Sequence, residues 1–167
     1  MFYQGVYYSN YFSLQTLHPA MDLLTLPEAA PEEVRDGVRL ASRVFFTDHG
    51  LAATALRGTV ERFLTSAGVP SKDSKGNFQS LAHRIKEWGK ADPDRRRIVP
   101  LLTAIRWLGN EGTHEDSKLE PGEVITGIQV LDGAFYQIFV SPEIDIKAQA
   151  IAAARARGAG LSKGASG

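Results

Sequence analysis

Residues 124–138 read VITGIQVLDGAFYQI, and a set of large apolar residues recurs in them at spacings of four and three. The recurring residues are Val124, Ile128, Leu131, Phe135 and Ile138. Because an α-helix turns once every ~3.6 residues, this spacing places these side chains on one helical face. Pro121 precedes them and suits the first turn of a helix. The pattern predicts an amphipathic helix whose apolar face packs in the core of an all-α fold.

Similar spacings predict helices on both sides of this one. Four helices are expected upstream. The first begins at Pro31, and the second and third cover residues 51–67 and 78–88. The fourth contains Pro100, and Gly109 is expected to end or loosen it. Downstream, Ser141-Pro142 is expected to separate off a C-terminal helix within residues 141–157, starting near Glu143. These elements predict an all-α bundle of five or six helices.

The two ends of the chain differ from this helical part. Residues 1–29 are rich in aromatic side chains, among them Tyr3, Tyr7, Tyr8, Tyr11 and Phe12. We expect them to form an extended N-terminal arm that lies across the helical domain of residues 30–140. The alternative is that these aromatics form a patch for a partner. Residues 158–167 are rich in Gly, Ser and Ala, which predicts a disordered tail.

The composition limits the classes of protein that fit. The 167 residues lie within the size range of one domain. The absence of cysteine excludes disulfides, thiolate zinc sites and cysteine nucleophiles. The 19 basic and 19 acidic residues balance, so no overall field favours nucleic acid or membrane. The start of the chain lacks a signal-peptide pattern, and no apolar run approaches the ~18 residues of a membrane span, so we expect a soluble, cytoplasmic protein.

Two further kinds of site are not expected from the sequence. The four histidines do not have the spacing of metal ligands. The glycines do not have the lysine and hydroxyl context of a phosphate-binding loop. We therefore expect neither a metal nor a cofactor.

Three short elements with polar residues follow one another along the predicted helices. Residues 55–61 read ALRGTVE and place Arg57 and Glu61 four residues apart, the spacing of an ion pair on a helix. Residues 81–85 read LAHRI, and residues 105–114 read IRWLGNEGTH.

In this order the three elements resemble the prokaryotic domain of unknown function family 4145, a branch of the HEPN-like (higher eukaryote and prokaryote nucleotide-binding) helical superfamily. The resemblance covers about residues 27–139, and its most specific element is the Leu-Gly-Asn-x-x-x-His ending. It implies a HEPN-like helical bundle and a role in restriction or other anti-phage loci. The ribonucleases of the superfamily cut RNA without metal, usually as dimers, with a motif in which Arg and a polar residue such as Asn precede His.

Asn110 and His114 match the Asn and His of that motif, whereas Gly109 stands where the Arg would precede Asn. Arg106 lies one helical turn earlier and is the candidate to take its place. A histidine can act as acid or base in attack by the 2′-hydroxyl, and a guanidinium can bind the phosphate oxygens. The resemblance thus implies that His114, Asn110 and Arg106 are candidate catalytic residues.

Each of these residues also has a structural interpretation. Asn110 could belong to a tight turn, after which His114 would cap the carbonyls at the helix end. Arg57 and Glu61 could support the site, with Glu61 orienting the imidazole, or could form only a surface pair.

We expect one of two functions. The first is a helical binding or dimerisation module of a prokaryotic defence-type system, without activity of its own. The second is a metal-independent endoribonuclease with a degenerate Arg/Asn/His motif. The expected partners are a second copy of the chain, a defence-system protein and RNA. The basic run Arg95, Arg96 and Arg97 is a further candidate contact for nucleic acid, although a solvated segment would have the same composition.

Overall fold

The computed structural model is all-α, as the sequence predicted. It describes Leu14, residues 17–114 and residues 119–163, with side chains as far as Ala153. Within these residues there are six α-helices and one π-helical turn. They are α1 (Glu32–Val44), α2 (His49–Ser66), α3 (Leu81–Lys90), α4 (Pro93–Glu111), α5 (Pro121–Phe135), the π-turn (Tyr136–Val140) and α6 (Ser141–Lys163).

The core lies between α2 and the helices around it. Helix α2 packs against α1, α4 and α5, and α3 packs against α4. The stripe predicted on α5 is buried from Val124 to Phe135, while Ile138 is partly buried. Phe135 is 1% exposed, and its ring lies 5.8 Å from that of Phe63 in α2. The prediction that this stripe forms part of the core is confirmed.

Helix α4 is longer than the sequence predicted. It begins at Pro93, includes Pro100 and continues through Gly109 to Glu111. The expectation that Gly109 ends or loosens the helix was wrong. Gly109 is buried inside the fold, where contacts with a neighbouring helix outweigh the low intrinsic helix propensity of glycine.

Helices α5 and α6 are continuous through the π-turn, so the predicted separation at Ser141-Pro142 was wrong. The backbone N–H of Ser141 donates to the carbonyl of Tyr136, five residues earlier. A π-helical turn adds a residue to the hydrogen-bonded loop, which lets the chain pass a proline without ending the helix. Helix α6 then extends to Lys163, whereas the sequence predicted an end near Arg157.

One helical stretch among the described residues, Pro121–Ala153, is long and apolar enough by length and composition to cross a membrane. The expectation that no segment approaches such a length was therefore wrong. The core helix of a soluble protein passes the same test, and the α5 half contains Leu131 and Phe135, which are 0% and 1% exposed. The location of the protein stays a prediction.

The predicted N-terminal arm is described at Leu14 and from residue 17 onward, and its aromatic residues lie outside the described part. Residues 17–30 contain no helix or strand and run along α1. The backbone N–H of Leu23 donates to the Ser42 hydroxyl at 3.1 Å, and Leu24 is buried in the core. This part of the arm packs on the helical body.

Candidate functional site: a cleft between α2 and α4

Glycines allow α2 and α4 to approach closely where the sequence motif lies. A Cβ atom at Gly109 would lie 2.9 Å from the carbonyl oxygen of Ala53 and would collide with the Cβ of Arg57. One turn later, a Cβ at Gly112 would collide with the backbone of Gly50. Position 109, directly before Asn110, therefore has no room for a side chain unless the two helices move apart.

This approach leaves a cleft of about 220 Å³ beside the two helices, which we call the arginine cleft. It is lined by α2, α4, the start of α3 and the loop before it, through Arg57, Glu61, Ser71, Phe78, Gln79, Ser80, Leu81, Ala82, Arg84, Arg106 and Asn110. Four of the five residues predicted for the site, Arg57, Glu61, Arg106 and Asn110, thus lie around one cavity. A second cavity of about 460 Å³ shares Glu61, Ser71 and Arg84 with it.

His114, the fifth predicted residue, does not line the arginine cleft. It follows the end of α4 and is exposed. The end of the helix is capped by its neighbours, because Gly112 N–H donates to the Leu108 carbonyl at 3.1 Å and the Thr113 hydroxyl donates to the Asn110 carbonyl at 2.6 Å. No hydrogen bond joins the imidazole to another residue in the described part of the chain.

Two arginines of the cleft differ in how they are bound. Arg57 forms an ion pair with Glu61 at 3.0 Å, so the predicted i, i+4 pair is present. The Arg106 guanidinium stacks on the Trp107 ring at 4.1 Å and has no hydrogen bond or ion pair with the described residues. The Nε atoms of Arg57 and Arg106 are both buried without a hydrogen-bond acceptor. An unsatisfied buried donor costs about 1–3 kcal/mol, so neither guanidinium is fully satisfied by the described residues.

Arg84, which sequence reasoning quoted without a role, is a structural residue. It is 3% exposed and donates to the carbonyls of Glu61 and Val69 and to the Thr65 hydroxyl at 2.8–3.0 Å. Burial lowers the pKa of the Arg84 guanidinium, and the charge of the Glu61 carboxylate acts in the opposite direction. Arg84 therefore ties α3 to the C-terminal end of α2 and fixes one wall of the cleft.

The loop before α3 is a short, ordered hairpin rather than the start of a helix. The Asp73 carboxylate accepts hydrogen bonds from the backbone of Lys75 and Asn77 and from the Asn77 side chain at 2.8–3.0 Å. A single antiparallel bridge joins Lys72 to Phe78, and Gly76 has a φ of 83° that suits glycine. The predicted helix start at Phe78 was wrong by three residues, because Ser80 caps α3 at Leu81.

We predict that the hairpin is sensitive to acid through Asp73. Hydrogen bonds from Asn77 hold the pKa of the Asp73 carboxyl below its ordinary value. A carboxyl with a lowered folded-state pKa stabilises the hairpin above the unfolded value of about 3.9, and this stabilisation is lost as pH falls through the folded-state value. The amide shift of Asn77 should therefore titrate with a midpoint below about 3.9. A midpoint at or above that value, or an unchanged titration in Asp73→Asn, would contradict the assignment.

The basic run predicted as a second contact lies elsewhere. Arg95, Arg96 and Arg97 are in the first turns of α4, about 15 Å along the helix from Arg106 by the rise per residue. Arg95 stacks over Trp88 at 5.3 Å, and Arg97 faces Asp94 at 4.0 Å. Among the residues that the structure describes, no group of three His, Asp or Glu side chains could hold a metal ion.

Comparison with known proteins supports the resemblance to the domain of unknown function family 4145. No curated protein and no solved structure matches the chain. The model of one family, described as a domain of unknown function (DUF4145), matches residues 39–156. This range covers more than half of the chain and includes α2, α3, α4 and the arginine cleft. The chain belongs to the DUF4145 family.

Proposed function

We propose that the chain is a binding module of a prokaryotic defence-type system that binds RNA in the arginine cleft and does not cut it. The proposal includes the HEPN-like relationship, the cytoplasmic location and a homodimer, all of which are expectations from the sequence and its resemblance. It rests mainly on one observation, which is that Arg106 faces the cleft without an ionic partner while His114 lies outside it.

The chemistry of the cleft favours a phosphate-bearing ligand. Three arginines and one carboxylate line it, and the amide of Asn110 adds both a donor and an acceptor. Arg84 and Arg57 already have partners, which leaves Arg106 to bind a phosphate oxygen. A charged hydrogen bond of this kind contributes about 1.5–3 kcal/mol.

The proposal against cleavage follows from the positions of two residues. Transfer of a proton from the 2′-hydroxyl needs a base within about 3.2 Å of it, or one bridging water away. His114 is the candidate base, and it does not line the cavity that holds Arg106 and Asn110. Gly109 leaves no space for the motif arginine beside Asn110.

Titration of a fluorescent single-stranded RNA tests the binding proposal. In the presence of EDTA, Arg106→Ala should weaken binding by about 10- to 100-fold, the factor that corresponds to one charged hydrogen bond. Arg96→Ala is the matched control, because it removes an equal charge from an exposed position on the same helix and should change affinity far less. Equal effects of the two substitutions would show that the cleft is not the binding site.

The endoribonuclease remains the second candidate, since Arg106 and Asn110 do line the same cleft and His114 follows Asn110 by four residues in the sequence. A second copy of the chain could then supply the missing His114. Incubation of labelled RNA with EDTA, wild type against His114→Ala, separates the two candidates. We expect no cleavage by either protein. Cleavage by the wild type that disappears in His114→Ala would establish the enzyme and overturn our proposal.

A further inference from the structure

Phe78 is an exposed aromatic residue in a position that the core does not require. Its side chain is 76% exposed, the largest value among the exposed large hydrophobic residues of the described chain. It nevertheless lines the arginine cleft together with Arg57, Arg106 and Asn110. A single exposed apolar side chain is ordinary on a protein surface. An exposed aromatic ring that lines the same cavity as an unpaired guanidinium suggests a binding role.

The hairpin keeps Phe78 in this position by hydrogen bonds on both sides of it. Asp73 N–H donates to the Asn77 carbonyl at 2.9 Å, and Gln79 N–H donates to the Ser71 carbonyl at 2.8 Å. The Asp73 carboxylate closes the turn at the other end. Because the backbone is fixed before and after Phe78, little further ordering would be needed for a ligand to use its ring.

We propose that Phe78 is a stacking platform for an unpaired base, so that the cleft recognises single-stranded RNA by one base on Phe78 and an adjacent phosphate on Arg106. The inference rests on the proposed function and deepens it. An aromatic ring stacks on the face of any base, whereas bases within a duplex have their faces covered by their neighbours. A cavity of about 220 Å³ can take a part of one nucleotide but not a helix.

The experiment compares two single-stranded RNAs of equal length, one with all of its bases and one with abasic residues throughout. Wild type should bind the RNA with bases more tightly. Phe78→Ala should weaken binding of that RNA by about 5- to 100-fold, and should leave binding of the abasic strand unchanged. Phe78→Tyr should retain the wild-type affinity because it keeps an aromatic face. A duplex of the same sequence should bind the wild type less tightly than the single strand.

Two control variants make the outcomes distinguishable. Tyr136→Ala removes an aromatic ring that is 51% exposed and does not line the cleft. It should change neither the affinity for the RNA with bases nor the affinity for the abasic strand. Arg106→Ala should weaken binding of both strands, since both carry phosphates. The stacking platform is wrong if Arg106→Ala weakens binding but Phe78→Ala does not. It is also wrong if Phe78→Ala weakens binding of both strands equally. In either case the proposed function stands. If the wild type binds neither strand, both proposals fail.

Discussion

Replacement of Phe135 by alanine is expected to lower the free energy of unfolding by about 3–5 kcal/mol, the usual cost of removing a buried phenylalanine ring. Phe135 is 1% exposed at the end of α5. Its ring lies 5.8 Å from that of Phe63 and 5.5 Å from that of Phe139. The substitution removes these contacts and leaves a cavity between α2 and the π-turn, which the surrounding helices can fill only in part.

The next residue along the chain provides the control for this prediction. Tyr136 is 51% exposed, so Tyr136→Ala should change the free energy of unfolding by less than about 1 kcal/mol. Urea or guanidinium titrations followed by far-UV circular dichroism measure both values. A loss below about 1 kcal/mol for Phe135→Ala would mean that the stripe on α5 is not buried.

Gly109→Ala is expected to cost about 1–3 kcal/mol or more, although alanine has the higher helix propensity. The added methyl group would lie 2.9 Å from the backbone oxygen of Ala53 and would collide with the Cβ of Arg57. Neither atom is the flexible end of a side chain, so α2 and α4 must move apart. We also expect this shift to weaken RNA binding, because Arg57 and Arg106 line the arginine cleft from the two helices.

Gly58 in α2 is the matched control for Gly109. A Cβ atom at Gly58 would meet nothing within 4 Å, so Gly58→Ala should stabilise the protein by about 0.5–1 kcal/mol. Gly109→Arg, which places an arginine directly before Asn110, should be less stable than Gly109→Ala and should not produce RNA cleavage. If Gly109→Ala is as stable as wild type, the close approach of the helices at this point is wrong.

Several elements of the fold could be predicted because their sequence patterns are local. Val34 and Val38 recur at helical spacing in α1, and Leu56 and Val60 in α2, and all four are buried. The errors arose where tertiary contacts outweigh local propensity. Gly109 suggested a helix end because nothing in the sequence shows that α2 lies against it.

The candidate site could be predicted only in part. Arg57, Glu61, Arg106 and Asn110 were identified from the resemblance, and the fold places them around one cleft. Phe78 was missed, since an isolated phenylalanine before a helix suggests the first buried residue of that helix. Its exposure results from the bonds around Asp73, and the sequence signal for such a turn is the Asp-Ser-Lys-Gly-Asn run of residues 73–77.

The nuclear magnetic resonance signals of the arginine Nε–H groups test the central proposal most directly. In ¹⁵N-labelled protein, Arg→Lys variants assign each signal, and unlabelled single-stranded RNA is then added to saturation. The account predicts that the Arg57 and Arg106 signals shift most, because these two side chains line the arginine cleft. The signals of the exposed Arg96 and Arg97 should shift little. The arginine cleft is not the binding site if, at saturation, the largest shifts occur at Arg96 and Arg97 and the Arg57 and Arg106 signals do not shift.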